Sequence, residues 1–293
     1  MTWFPFAFGA AIFWAFGHVF LKKGFDHVAP LWNNILDKII SLFLWLPAIL
    51  FLSGFNIEPP PLEIVLILVA SSVLYLFFFY AISRGQISLT GTIVAGYPLF
   101  TVVLSYFFLD EKLGLLQYAG IALILTGDTI VALPERNNGN DRKTRRNGTP
   151  HDYGWVLWGF IGALSLGVGD FLTKVSINRI GAYNHIFWLA LVSNAAVVCN
   201  YLVDRRNRQA PPLLRKQALP TIIGVVINLA GALLFLLAFD YGKASLIAPV
   251  SSIYPVLMAL LAVRFLKERI SQRQATGIGI AIVGLILVGM GTI

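Results

Sequence analysis

The chain has 293 residues, of which 57% are apolar and only 12% charged, and a net charge of +8; its mean hydropathy is +0.77. Such a composition excludes an ordinary soluble domain and predicts a chain built for lipid. One cysteine, Cys199, excludes a disulfide framework and a thiolate metal site, and no cofactor or metal is expected.

Ten apolar runs follow one another at about 3–21, 31–53, 62–83, 87–109, 113–133, 153–173, 182–203, 218–240, 245–266 and 271–292. Each approaches the roughly 20 residues that cross ~30 Å of hydrocarbon, and each is continuous rather than alternating. Only a helix satisfies its own backbone in lipid, so the predicted class is all-α, a polytopic membrane protein of ten transmembrane helices. The first run lacks a basic leader and a cleavage site, and is expected to be retained.

Helix 1 ends with His18 and Lys22. Helix 2 carries Asn33, Asn34, Asp37, Lys38 and Ser41, with Asn34, Asp37 and Ser41 on one face. A carboxylate at that depth needs a partner or water. Two readings stand. In one, His18 and Lys22 meet Asp37 as an inner gate, with Asp37 or His18 exchanging a proton; in the other, Lys38 snorkels and Asp37 bridges Lys22 statically. Helix 3 offers Tyr75, and helix 4 offers Thr92, Tyr97 and Pro98. Asp128, on helix 5, fits either a contact in a homodimer or an interfacial position. Helix 6 carries Asp170 and Lys174 four apart, which reads either as a surface salt bridge or, with His185 of helix 7, as an outer gate. Asp240 closes helix 8 without an assigned role. Helix 9 brings Ser251, Ser252, Tyr254 and Pro255. Pro98 and Pro255 near mid-helix each remove one backbone hydrogen bond and predict kinks at midplane depth, among small and hydroxyl-bearing residues suited either to substrate or to close helix packing.

The chain spells one unit twice. Residues 81–127 realign on 238–284 at a constant offset of 157, with identities at Gly85/Gly242, Ser88/Ser245, Tyr97/Tyr254, Pro98/Pro255, Glu111/Glu268, Gln117/Gln274, Gly120/Gly277 and Gly127/Gly284. The first helices correspond at an offset of 152, which places His18 on Asp170, Lys22 on Lys174 and Asn33 on His185. Three units are expected: a five-helix repeat over 1–133, a basic flexible linker over 134–152 and a second repeat over 153–293. An odd helix count per repeat makes the second enter the membrane from the opposite side, so the repeats are predicted to be inverted.

Seventeen basic residues fall in the odd-numbered connections and four in the even-numbered ones. By the positive-inside rule both termini lie outside a cell (inner) membrane. The same placement in short connections explains the basic surplus without nucleic acid.

The residues Gly85-x-x-Ser88, Tyr97-Pro98 and Leu109-Asp110-Glu111-Lys112, with Gly242-x-x-Ser245, Tyr254-Pro255 and Leu266-Lys267-Glu268-Arg269, resemble the EamA family of the drug/metabolite transporter superfamily. The resemblance implies a basket of five plus five helices, with a central cavity lined by helices 1–4 and 6–9 and with helices 5 and 10 at the periphery. Several members of that family place their termini in the cytoplasm, whereas the loop charges here place them outside.

The function expected is secondary-active transport of a small organic metabolite, such as an amino acid, a sugar or a drug-like solute, by alternating access. Tyr97, Pro98, Thr92, Tyr254, Pro255, Ser251, Ser252, Asn34 and Tyr75 are the substrate-binding candidates. His18, Lys22, Asp37, Lys38, Asp170, Lys174 and His185 are the gate or coupling candidates, with protons as the coupling ion. Glu111 and Glu268 read as structural anchors at helix ends. No G-x-x-x-x-G-K-[ST], H-E-x-x-H or G-x-S-x-G motif occurs, so neither an ATPase nor an enzyme is expected. The alternative is a flippase for a phospholipid or a lipid-linked sugar.

Overall fold

The computed structural model describes residues 2–24, 30–84, 93–133, 154–203, 218–261, 263–264 and 271–291. The linker 134–152, Thr92, Ser88 and Glu268 lie outside them, as does the Lys22 side chain. The regular elements among the described residues are all helices: α1 (Trp3–Gly24), α2 (Pro30–Leu52), α3 (Leu62–Arg84), α4 (Tyr97–Phe108) and α5 (Leu115–Ala132) form the first half. In the second half one run, Gly154–Val203, contains α6 and α7 on either side of Gly181. There φ is +76° and ψ 160°, a conformation open only to glycine. Then come α8 (Leu219–Tyr241), two short helices α9a (Ala244–Ser251) and α9b (Tyr254–Leu261), and α10 (Gln272–Met290).

Among the described residues, seven apolar runs have the length and composition to cross a membrane, and one of them, Val156–Val203, spans 48 residues, enough for two crossings. The shorter apolar stretches Leu62–Phe78 and Tyr97–Phe108 belong to α3 and α4. Three predicted runs change. The sixth helix was expected to end at 173 but continues to Gly181, and the fourth and the ninth are each interrupted by a turn.

The packing repeats as the sequence does. α1 lies against α8 in the first half's pairing, and α3 lies against the α6–α7 run in its counterpart. α1 also touches both halves of α9, while α6 receives α4, Gly167 backing onto Tyr97 and Phe100. The clearest sign of inversion is where the equivalent helices α5 and α10 cross. A Cβ on Gly120 would stand 2.7 Å from the Gly284 carbonyl oxygen, and one on Gly127 would stand 2.6 Å from that of Gly277. Position 120 corresponds to 277 and 127 to 284, so each glycine meets the partner of the other. Equivalent helices therefore run antiparallel, and backbones touch because neither side carries a side chain. Both helices start alike, with Gln117 Oε1 accepting the Gly114 N–H at 2.9 Å and Gln274 Oε1 accepting the Ser271 N–H at 3.1 Å.

Candidate functional site

The two halves break one helix each at the same place. Before α4, residues 95–96 form a turn, with the Gly96 N–H donating to the Ile93 carbonyl at 3.1 Å and the Leu99 N–H to the Gly96 carbonyl at 3.1 Å. Before α9b, residues 252–253 do the same, and the Val256 and Leu257 N–H groups both turn to the Ile253 carbonyl, at 3.0 and 3.2 Å. Sequence reasoning expected Pro98 and Pro255 to kink continuous helices. Instead each sits second in a new helix, where a missing N–H has no partner to lose. Tyr97 and Tyr254 open the new helices beside them.

His18 of α1 stacks on Tyr254, ring centroids 4.9 Å apart and planes 15° from parallel. Its Nδ1–H donates to the Trp14 carbonyl at 2.6 Å, and Trp14 itself meets Tyr254 edge-on at 6.1 Å. In the other half the position equivalent to His18 is Asp170, one turn beyond Gly167, which backs onto Tyr97, the equivalent of Tyr254. The equivalent position thus carries an imidazole in one half and a carboxyl in the other. Asp170 Oδ2 is buried and without a hydrogen bond among the described residues. His18, Asp170 and Tyr254 are each half-buried.

Asp128 joins this group, against the expectation that its helix is peripheral and its carboxyl interfacial. It is 1% exposed, because Gly127 beside it pulls α5 against α10 and turns the next position inward toward α9. Its Oδ2 lies 3.2 Å from Ser252 Oγ, which lies 2.8 Å from the Pro249 carbonyl oxygen. The signal available in the sequence was adjacency: Asp128 follows a glycine of the repeated pattern, and that glycine marks a buried face. Ser251 Oγ donates to the Ala7 carbonyl at 3.2 Å and ties α9a to α1.

The gate candidates disperse. Asp37 pairs with its neighbour Lys38 at 2.9 Å, and Lys38 Nζ sits 4.0 Å above the Tyr75 ring, a polar group between α2 and α3; Asn34 of α2 is buried. Since His18 is held on Tyr254, the expected His18–Asp37 contact is not formed. Asp170 and Lys174 do not bridge either: Lys174 Nζ donates to the Phe239 carbonyl of α8 at 2.5 Å. The longer α6 explains this, since both residues lie inside the helix rather than at its exposed end. His185 is fully buried, with Nδ1 2.8 Å from Ser176 Oγ. Asp240, unassigned from the sequence, accepts the Ala182 N–H at 3.3 Å and so caps α7 just past the Gly181 bend.

Glu111 is the anchor the sequence suggested. Its carboxylate accepts the Ala244 and Ser245 N–H groups at 3.0 and 2.9 Å and the Ser245 hydroxyl at 2.6 Å, capping α9a from the other repeat. Asp110 before it adopts a left-handed φ of 52°, which short polar side chains tolerate. Two cavities of about 340 Å³ lie away from the tyrosines: an apolar one lined by Val102, Val103, Tyr106, Phe107 and Tyr118, and a polar one lined by Glu58, Glu63, Arg179 and Asn184 among others.

Known proteins place this architecture. An uncharacterized transporter of Archaeoglobus fulgidus is 26% identical over 284 residues, covering 95% of this chain and 94% of its own. An uncharacterized protein of Methanocaldococcus jannaschii is 29% identical over 135 residues, which is 46% of this chain and 96% of that protein. The uncharacterized transporter YvbV of Bacillus subtilis is 32% identical over 136 residues, 43% of each chain. A solved crystal structure superposes with a TM-score of 0.78 over 99% of this chain and 96% of its own, at 18% identity, and shares the fold. The EamA-like transporter family model matches residues 1–133 and 153–290, one match per repeat. The chain belongs to the EamA-like transporter family, and it is a multi-pass membrane transporter.

Proposed function

We propose that this protein is a secondary transporter that moves a small organic solute through a cleft between the two helix breaks by alternating access. The observation that carries the reading is the paired break: α4 and α9 are interrupted at equivalent residues, each beside a tyrosine and each packed on the first helix of the opposite repeat, which carries His18 or Asp170. Interrupted helices expose backbone groups to a solute and supply hinges, and inverted repeats let the two hinges exchange roles as the cleft opens to either side. Tyr97, Tyr254, His18 and Asp170 then contact the solute, with Ser252 at the rim, while Pro98 and Pro255 pre-set the helix starts. Asp37, Lys38 and Tyr75 form a separate polar group between α2 and α3, in keeping with a gate. The loop charges place both termini outside the cell membrane.

The direct test is uptake of a mixed metabolite pool into proteoliposomes, with and without an imposed proton gradient. Accumulation of a defined solute class that is lost in Tyr97→Ala and Tyr254→Ala supports the reading. Accumulation unchanged in both variants overturns it. The apolar groove at Val102, Tyr106 and Phe107, open between α4 and α5, favours a lipid substrate as the second reading; movement of labelled lipid headgroups without soluble solutes would establish that one instead. A reporter fused after Ile293 that is active only in the cytosol would reverse the orientation.

A further inference from the structure

If Asp128 is ionised, the Ser252 hydroxyl at the α9 break faces two acceptors with one hydrogen. Ser252 Oγ has one hydrogen to donate and two oxygens within reach, the Pro249 carbonyl at 2.8 Å and Asp128 Oδ2 at 3.2 Å. The Pro249 carbonyl can only accept. It is the group that an unbroken helix would offer to the Ile253 N–H, and it makes the shorter contact, so the serine hydrogen goes there. With the serine hydrogen on Pro249, a hydrogen bond between Ser252 and Asp128 takes its hydrogen from the carboxyl group, which donates only as the acid.

The surroundings agree. Asp128 is 1% exposed and its Oδ1 has no hydrogen bond among the described residues. The elements packed on α5 are α9a, α9b and α10. α9 brings Ser252 and the phenol of Tyr254. α10 lays Gly277 and Ala281 against Gly127, and its Arg273 is engaged with the Leu133 carbonyl at the end of α5. His18 lies on the far helix, stacked on Tyr254. No cation among the described residues pairs with Asp128, and a bare carboxylate this deep in a bilayer is strongly disfavoured. The equivalent positions in the other half are Leu285 for Asp128 and Ala95 for Ser252, so the arrangement occurs once per molecule.

We propose that Asp128 binds the coupling proton of this transporter and that a relay from the Asp128 carboxyl through the Ser252 hydroxyl to the Pro249 carbonyl ties that proton to the break in α9. The proposal rests on the transporter reading above and names its coupling group. When Asp128 loses its proton to water in the cleft, the carboxylate becomes an acceptor and the Ser252 hydroxyl turns to it. The Pro249 carbonyl is then free for the Ile253 N–H, which closes the helix. Binding the proton restores the relay and holds the break open.

Infrared spectroscopy of the reconstituted protein across a pH titration tests this without a solute. A carboxylic-acid carbonyl band present at neutral pH, lost in Asp128→Asn, kept in Asp170→Asn and shifted in Ser252→Ala is the expected result. No such band at neutral pH, a band that survives Asp128→Asn, or one that Ser252→Ala leaves in place overturns the proposal. Amide hydrogen exchange of the peptide 244–261 reads the second half. Raising the pH should increase protection at the break in the unaltered protein relative to Asp128→Asn, in which it stays level; identical behaviour of the two overturns the link to α9. Because neither readout needs uptake, these failures are distinct from a failure of transport itself.

Discussion

The break before α4 and the break before α9b are the same piece of backbone with different chemistry. Both place a two-residue turn directly before Tyr-Pro, and both pack on the first helix of the other repeat, which carries a polar residue at one equivalent position. At Tyr254 that residue is His18, fixed by its bond to the Trp14 carbonyl, and the turn carries Ser252 with Asp128 behind it. For the other break the residue is Asp170, and the turn is Ala95-Gly96. Duplication preserved what the membrane imposes, which is helix starts, close crossings and interrupted hydrogen bonding. The polar groups, which cost much in lipid and serve only function, diverged.

Breaking the shared scaffold should have the largest effect. Gly120→Leu drives a side chain into the Gly284 backbone, which cannot yield, and overpacking of this kind costs about 1–3 kcal/mol or more; folded, monodisperse protein in detergent should fall sharply. Gly279→Leu, where the added atoms meet open space, should leave yield and melting temperature unchanged. Next comes Glu111→Ala, which strips two N–H groups of their acceptor at the start of α9a and should cost about 1–3 kcal/mol in thermal unfolding. His18→Ala sharpens the contrast between the breaks, since it removes a stack of about 0.5–1.5 kcal/mol at Tyr254 alone; intrinsic fluorescence should report the change through Trp14. The smallest effect belongs to Ala95→Ser, which copies Ser252 into the first break where no carboxyl stands behind it. Its melting temperature should match the parent, within the roughly 0.5 kcal/mol of an ordinary substitution, and its proton-linked behaviour should be unaltered.

Much of the fold was legible in the residues because lipid is an unforgiving solvent. Hydrophobic length announced the crossings, and an odd helix number per repeat required inversion, which the exchanged glycines Gly120–Gly284 and Gly127–Gly277 bear out. The recurrence of Tyr-Pro located the helix breaks, and the recurrence of Glu111 marked an anchor, though neither disclosed its partner. Partners were the tertiary structure's to decide. A spacing of four made Asp170 and Lys174 neighbours along one helix, yet Lys174 reached the Phe239 carbonyl across to α8. Asp37 took the adjacent Lys38 rather than His18. Asp128 looked peripheral until the backbone contact at Gly127 turned it toward Ser252. Periodicity along a chain says which face of a helix is polar, but the partner of a buried charge depends on which helix lies opposite and at what height, and only packing sets that.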